Sequence, residues 1–375
     1  MSAQRTSVEG GAPDEAPAGY VSATYLMTTV PNFLRSITYR MLADGLLLQD
    51  IRAAEVLDDW AEWGEFWIDR ALGHEQLATE ALASGRTTTA SQHLVRASLC
   101  AHYAQFLYFD FPGVKKRAVE LKARLYGAAA ALLSPPTTAV EIPFRNGSLP
   151  GYLRVPAGAS AGPAVILIGG LDAAKEDAHQ FSDLCLERGV ATLAFDGPGQ
   201  GEAFYRGHLF GADFHRSVSA AIDLLGAHAA IDAERIGVLG RSLGGFLAPQ
   251  AAALDHRIKA CVAWGALYDL GSFDHKPPLI QKGYRFITGA ADMAEAKARA
   301  SFVDLSGIAE KITCPLYVVH GMKDNSVPPD NAERLARQAR GAVHLRLVPD
   351  SIHCNHDVAH VVRPAMADWL AETLR

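Results

Sequence analysis

Gly240-Arg241-Ser242-Leu243-Gly244 puts a hydroxyl between two glycines, after the apolar run RIGVLG and before the helical stretch LGGFLAPQAAAL. This is a G-x-S-x-G pattern, in which a serine on a tight strand-to-helix turn is presented for nucleophilic attack. Glycines suit it because a Cβ at either flank would strike the adjoining strands. The competing reading is packing alone, with glycines that let a helix approach a sheet. A serine hydroxyl attacks a carbonyl only when a base takes its proton and an acid orients that base. The chain supplies both downstream, in the order serine, acid, histidine. CPLYVVHGMKDNSVPP delivers Asp324 after one strand, and HLRLVPDSIHCNH delivers His353 after the next. The bland reading of Asp324 is a turn cap, and Asp330 in PPDNAERLA reads as a helix N-cap. His356, three residues past His353, is the alternative base, and His320, at a strand end, reads as a packed histidine.

An oxyanion formed at that serine needs two backbone N–H groups aimed at it. One is expected from Leu243, and the other from Gly170 or Leu171 in LIGGLDAAKED, where Gly169 and Gly170 let the backbone come close. Asp172 in that loop reads as an N-cap for the helix that follows. DGPGQGE, residues 196–202, imitates a phosphate loop, but its spacing is wrong and no Gly-Lys-Ser/Thr follows. It reads instead as a tight loop beside the site. No metal or organic cofactor is needed for this chemistry.

The elements that must position these groups form two kinds of sequence. From about Tyr25 to Leu133 the pattern is helix after helix, with apolar residues at three- and four-residue spacing. Gly85 and the Thr87–Thr89 run read as a helix stop followed by a cap. HYAQFLYFDFP concentrates Tyr103, Phe106, Tyr108 and Phe109 in a helical context, and some of these aromatics are expected to line a pocket. After Pro135 and Pro136 the pattern becomes α/β. AVEIPFRNGSLPGYLRVP reads as a hairpin turning at Asn146-Gly147. PAVILIGG, ATLAFD, RIGVLG, IKACVAW, PLYVVHG and HLRLVP are short, nearly all-apolar strands separated mostly by helices. That alternation predicts a mostly parallel, doubly wound sheet with its chemistry at the carboxyl ends of the strands. The expected division is a tail over 1–20, a helical domain over 21–136 and an α/β domain over 137–375. Residues 266–305 lack a clear strand and read as an insertion that covers the site.

Bulk properties narrow the partners. With 375 residues, 49% apolar and 20% charged, the chain can bury a large core. A formal charge of −6 and the lack of a basic, aromatic-rich stretch exclude nucleic acid and acidic membrane surfaces. The five cysteines are scattered without a CxxC pair, which fits a reducing cytoplasm rather than a disulfide framework or a zinc knuckle. No apolar run reaches the roughly 20 residues that cross a bilayer. The expected partner is a small molecule, a ketone or an ester.

Taken together, GGLDAAKED, FDGPGQGE, GRSLGG, CVAWGALYDL, HGMKD, HCNH and the helical TTTASQHLVRASLCAHYAQFLYF resemble one group of α/β-hydrolases. It is the group of the 2,6-dihydroxypseudooxynicotine hydrolases and the fungal polyketide-shortening hydrolases, with an esterase-like branch. The resemblance covers most of the chain from about residue 50. It implies an α/β-hydrolase fold under an N-terminal helical cap, and a triad at Ser242, Asp324 and His353. It further implies hydrolysis of a carbon–carbon bond beside a ketone, in a 1,3-dicarbonyl-like substrate, and a homodimer. Esterase or thioesterase activity, and acyl transfer or cyclisation, use the same triad. Substrate-binding candidates are Tyr103, Phe106, Trp264 and Asp269, with Asp274 also near the expected position of an additional acid.

Overall fold

The computed structural model describes residues 29–375 except Ala159. The expected tail over 1–20 and the start of the helical domain therefore lie outside the described residues. The helical half begins with α1 (Val30–Asp44), which ends at Gly45 in the left-handed region with φ 108°. It continues through α2 (Leu48–Ala53), α3 (Trp60–Ala83), α4 (Thr87–Gln105) and α5 (Pro112–Ala130). Gly85, at φ 71°, does stop α3 as expected. The threonines do not cap α4, because Thr87 is already helical and Arg86 holds the cap position without a side-chain bond. The helices share an aromatic core around the fully buried Trp63, Trp67 and Tyr103. Trp63 Nε1 donates to the Tyr103 carbonyl at 2.8 Å, which removes the cost of burying the indole N–H.

One expected helix is shorter than its apolar pattern. α4 stops at Gln105, and Phe106, Tyr108 and Phe109 lie in a loop in which Leu107 takes φ 55°. The Leu107 N–H leaves the helical ladder and donates to the Asp172 carboxylate at 2.5 Å. A tertiary partner thus overrides local propensity.

The second half is one eight-stranded sheet. Its strands are β1 (Thr137–Phe144), β2 (Gly147–Arg154), β3 (Gly162–Ile168), β4 (Ala191–Phe195), β5 (Ile231–Arg241), β6 (Ala260–Trp264), β7 (Leu316–Gly321) and β8 (Val343–Val348). Their spatial order is β1-β2-β4-β3-β5-β6-β7-β8. The β1–β2 and β2–β4 pairs are antiparallel and the rest are parallel. In the hairpin the turn residues are Arg145-Asn146, one place before the expected pair. Phe144 pairs with Gly147, and Arg145 takes φ 51°. That register sets Ile142 opposite Leu149, both fully buried, and a one-residue slip would turn them outward.

Helices cover both faces, as all-apolar parallel strands require. α6 (His179–Leu186) and α13 (Ala359–Thr373) flank an apolar cluster with Val165, Leu239 and Val262 on one face. α8 (Phe214–Gly226) and α9 (Gly244–Leu254) pack on the other, while the short α7 (Gly201–Tyr205) follows β4 and α12 (Asp330–Gln338) links β7 to β8. This is the arrangement of an α/β-hydrolase. Residues 266–305 hold α10 (Pro278–Thr288) and α11 (Met293–Ala300), and only an isolated bridge, Asp269 to Asp304, in place of a strand.

Candidate active site

β5 delivers Ser242 onto a turn that few residues tolerate. Its φ is 60°, in the left-handed region, and its N–H donates to the Trp264 carbonyl at 2.9 Å. Strain of this kind persists only where the surroundings impose it. They do so through the glycines: a Cβ on Gly240 would lie 1.8 Å from the Gly244 carbonyl oxygen, and one on Gly244 would lie 2.3 Å from that of Ile168. Both flanking glycines are therefore required by contact.

The turn aims the hydroxyl at His353. Ser242 Oγ lies 2.9 Å from His353 Nε2, and His353 Nδ1 lies 2.6 Å from Asp324 Oδ2. The other Asp324 oxygen accepts the N–H groups of Ser326 and Val327, each at 2.8 Å, which fixes the carboxylate. Burial alone would raise the Asp324 pKa, but His353, then His320 and the Val327 N–H, hold it below its ordinary value. Burial would likewise depress His353, yet the Asp324 carboxylate beside it pushes the imidazole well above its usual 6.5. The histidine loop is bent to reach this place. Cys354 and Asn355 take φ 53° and 50°, and Asp357 Oδ1 accepts Ser351 Oγ at 2.8 Å and the Ile352 N–H at 3.2 Å.

The neighbouring histidines sort themselves by geometry. His320 is fully buried behind the acid, with Nε2 donating to the Val327 carbonyl at 2.9 Å. His356 lies beside Trp264, with ring centroids 5.7 Å apart. Burial, then the guanidinium groups of Arg241, Arg363 and Arg40, hold its pKa well below 6.5. Asp330 opens α12 behind Pro329, which takes the cap position that was expected of the aspartate.

Gly170 sits against the serine: a Cβ there would be 3.2 Å from Ser242 Cβ and 3.6 Å from its Oγ. Leu243 occupies the N-cap of α9, so its backbone belongs to the positive end of that helix. The glycine-rich loop at 196–202 supports this arrangement, because Gln200 Nε2 donates to the carbonyls of Gly169 and Gly170 at 3.0 and 2.8 Å. Asp172 does not cap a helix. It is 7% exposed and accepts Lys115 Nζ at 2.7 and 2.8 Å, besides the Leu107 N–H. Burial raises its pKa in spite of the lysine. Burial also pulls Lys115 down to about 8, against the opposing pull of Asp172.

A cavity of about 370 Å³ opens over these groups. Ser242, His353, Gly170, Leu171 and Leu243 line one side of it, with Phe33, Ile37, Phe106 and Leu107 from the helical half and Leu270, Ile280 and Tyr284 from residues 266–305. Of the four sequence candidates for substrate contact, Phe106 alone is on the wall. Tyr103 is fully buried and donates its hydroxyl to Asp44 at 2.9 Å. Trp264 is 2% exposed at the end of β6, with Arg363 stacked 5.5 Å from its ring centroid, off the cavity. Asp269 is taken up by Arg334 at 2.5 Å, and Asp274 pairs with Lys297. Aromatic and acidic residue types alone do not say which face of an element points at a pocket.

Sequence reasoning missed the charges that tie the helical half to the sheet. Asp44 accepts Arg363 at 2.7 Å and lies 3.7 Å from Arg241, while Asp177 accepts Arg241 at 2.8 Å and Arg40 at 3.1 Å. Lys122 meets Glu176 at 3.3 Å, both fully buried. A signal existed on α5. Lys115 and Lys122 share the three-four spacing of the buried Ala118, Val119, Leu125 and Tyr126, so two lysines stand on an apolar stripe.

The chain matches the FrsA-like esterase family over residues 56–278 and the dienelactone hydrolase family over 205–361. It is 38% identical over 338 residues to a 2,6-dihydropseudooxynicotine hydrolase of Paenarthrobacter nicotinovorans, covering 89% of this chain and 91% of the relative. The chain belongs to the FrsA-like esterase family of α/β-hydrolases. The crystal structure of a 2,6-dihydroxy-pseudo-oxynicotine hydrolase superposes with a TM-score of 0.84 at 36% identity, over 90% of this chain and 95% of that one. A 20-hydroxy-prefusarin hydrolase of Gibberella moniliformis is 33% identical over 225 residues, 56% of this chain and 54% of its own. The protein is thus a hydrolase. Among the described residues no helix is long and apolar enough to cross a membrane.

Proposed function

We propose that the protein hydrolyses a carbon–carbon bond beside a ketone, in a 1,3-dicarbonyl-like substrate, with Ser242, His353 and Asp324 as its triad. The observation that carries this is the unbroken chain of contacts from Ser242 Oγ through His353 to Asp324 at the cavity wall. The helical half is the cap over that cavity. The resemblance to ketone-cleaving hydrolases, and the likeness to the 2,6-dihydropseudooxynicotine hydrolase, support the ketonic substrate.

In this reading His353 takes the Ser242 proton as Oγ bonds to the ketone carbon, and Asp324 stabilises the imidazolium. The alkoxide is held by the N–H of Leu243 and that of Gly170 or Leu171. Collapse breaks the carbon–carbon bond, and its electron pair leaves as an enolate spread onto the second carbonyl. His353 returns the proton to that carbon. Water, deprotonated by the same imidazole, then cleaves the acyl-serine ester, and the serine regains its proton. Direct attack by water activated at His353 is the variant of this scheme. The FrsA-like family assignment favours an ester as the second reading.

The test is turnover of a 1,3-diketone panel beside p-nitrophenyl esters, with wild type and Ser242→Ala. Diketone cleavage that Ser242→Ala lacks supports the proposal. Fast ester turnover without diketone cleavage replaces it by the esterase reading.

A further inference from the structure

The charges on the cavity wall do not balance, and the half-buried share of the imbalance is one residue. Arg40 and Arg241 reach the wall, but Asp44 and Asp177 neutralise them from behind. Asp172 is neutralised by Lys115, and Lys323 by Asp350 at 2.9 Å. Lys276 is different. It lines the cavity, half-buried, in the turn before α10, and among the described residues its ammonium meets no carboxylate and no hydrogen-bond acceptor. Asp269 and Asp324 attract it from a distance, but each is in contact with another cation, Asp269 with Arg334 and Asp324 with His353, and Asp274 pairs with Lys297. Its backbone is fixed at both ends. The N–H donates to the Phe273 carbonyl at 3.1 Å, and its carbonyl accepts Gln281 Nε2 at 2.7 Å, with Pro277 following. The side chain thus starts from a rigid point on a lining that also holds the apolar Leu270, Ile280 and Tyr284. A cation held half out of water with carboxylates only at a distance, and none in contact, gains most from an anionic oxygen that comes to it.

We propose that Lys276 is a specificity residue of this cavity, and that the substrate carries an anionic oxygen which its ammonium receives. This deepens the proposed function and rests on the same cavity. Two sources share that chemistry, a fixed carboxylate on the substrate and the enolate of a 1,3-dicarbonyl. Arg35, exposed and bonded only to Asn32 and the Pro31 carbonyl, adds a second cation on the lining without an acid partner among the described residues.

The experiment is binding rather than turnover, so that it survives failure of the hydrolytic reading. Calorimetry on the full-length Ser242→Ala protein would compare 4-oxo-4-phenylbutanoate with its neutral amide, and would add a trifluoromethyl 1,3-diketone, ionised to its enolate near neutral pH. Lys276→Met in that background is expected to weaken the anions by about tenfold relative to the amide, the scale of one charge-assisted hydrogen bond. Lys276→Arg is expected to restore most of it. Loss on the carboxylate assigns the site to a fixed charge, and loss on the enolate alone assigns it to the reacting dicarbonyl; both support the proposal. Equal weakening of amide and anions, no dependence on residue 276, or no binding of any of the three overturns it. Melting curves of both variants check the fold.

Discussion

At the carboxyl edge of the sheet, Ser242, Asp324 and His353 are placed by backbone. Positive φ angles at Ser242, Cys354 and Asn355, glycines without room for a Cβ, and N–H groups on Asp324 do the positioning. Where the helical half meets the sheet, placement is by charged side chains from distant parts of the chain, as in Asp44 with Arg363 and Lys115 with Asp172. The first kind of construction tolerates no change of shape. The second tolerates no change of charge, because a buried ion without its partner costs several kcal/mol. The cavity lies between the two, so chemistry and enclosure depend on different physics.

The largest predicted effect is on the backbone-built edge. Ser242→Ala and His353→Ala should each lower kcat by about 10⁴-fold or more, while His356→Ala stays within about tenfold in kcat/KM. Comparable losses at both histidines would undo the base assignment. At the charge-built interface, Asp44→Asn should cost about 3–5 kcal/mol in urea unfolding. It leaves three guanidinium groups facing an amide. Burial would raise the Asp44 pKa, but Arg363, Arg241 and Arg40 outweigh it and hold the carboxyl far below 3.8. This group therefore stabilises the fold fully above its unfolded pKa and progressively less as pH falls below about 3.8. Asp44→Asn should flatten that acid limb, as read by urea midpoints from pH 5 to 2.

Lys115→Met should cost less, about 2–3 kcal/mol, because Asp172 can take up a proton in the emptied site. Its sharper signature is kinetic. The loop that carries Gly170 and Leu171, proposed to hold the oxyanion, loses its anchor, so kcat should fall more than KM rises, by about tenfold. With Lys115 near 8, wild-type activity should also decline as pH rises through about 8, a limb that the Met variant lacks. Smallest of all is a displacement of the acid limb. Since His353 is raised above 6.5 and must be neutral to act as base, kcat/KM should fall with acid at a midpoint above 6.5. A midpoint at or below that value would mean that Asp324 does not hold the imidazolium.

How much of this the residues revealed follows the same division. The doubly wound sheet and the strand-end positions of Ser242, Asp324 and His353 were readable, since all-apolar strands alternating with helices leave one topology and one edge for loops. Local order went wrong in two ways: a distant group, Asp172, drew Leu107 out of α4, and within the hairpin Gly147 entered the ladder and moved the turn back by one. Tyr103, Trp264 and Asp269 were sound as residue types for a pocket, but each is turned to a partner that spacing does not encode. Lys276 gave no sequence signal, because a lone lysine before two prolines reads as ordinary surface.

The central claim is that His353 and Asp324 make Ser242 nucleophilic. Intact-protein and peptide mass spectrometry after one equivalent of a fluorophosphonate tests it most directly. The account predicts a single adduct on the Ser242 peptide, absent in Ser242→Ala and formed at least about 10³-fold more slowly in His353→Ala. An adduct on another residue, or labelling of Ser242 at the same rate without His353, would contradict it.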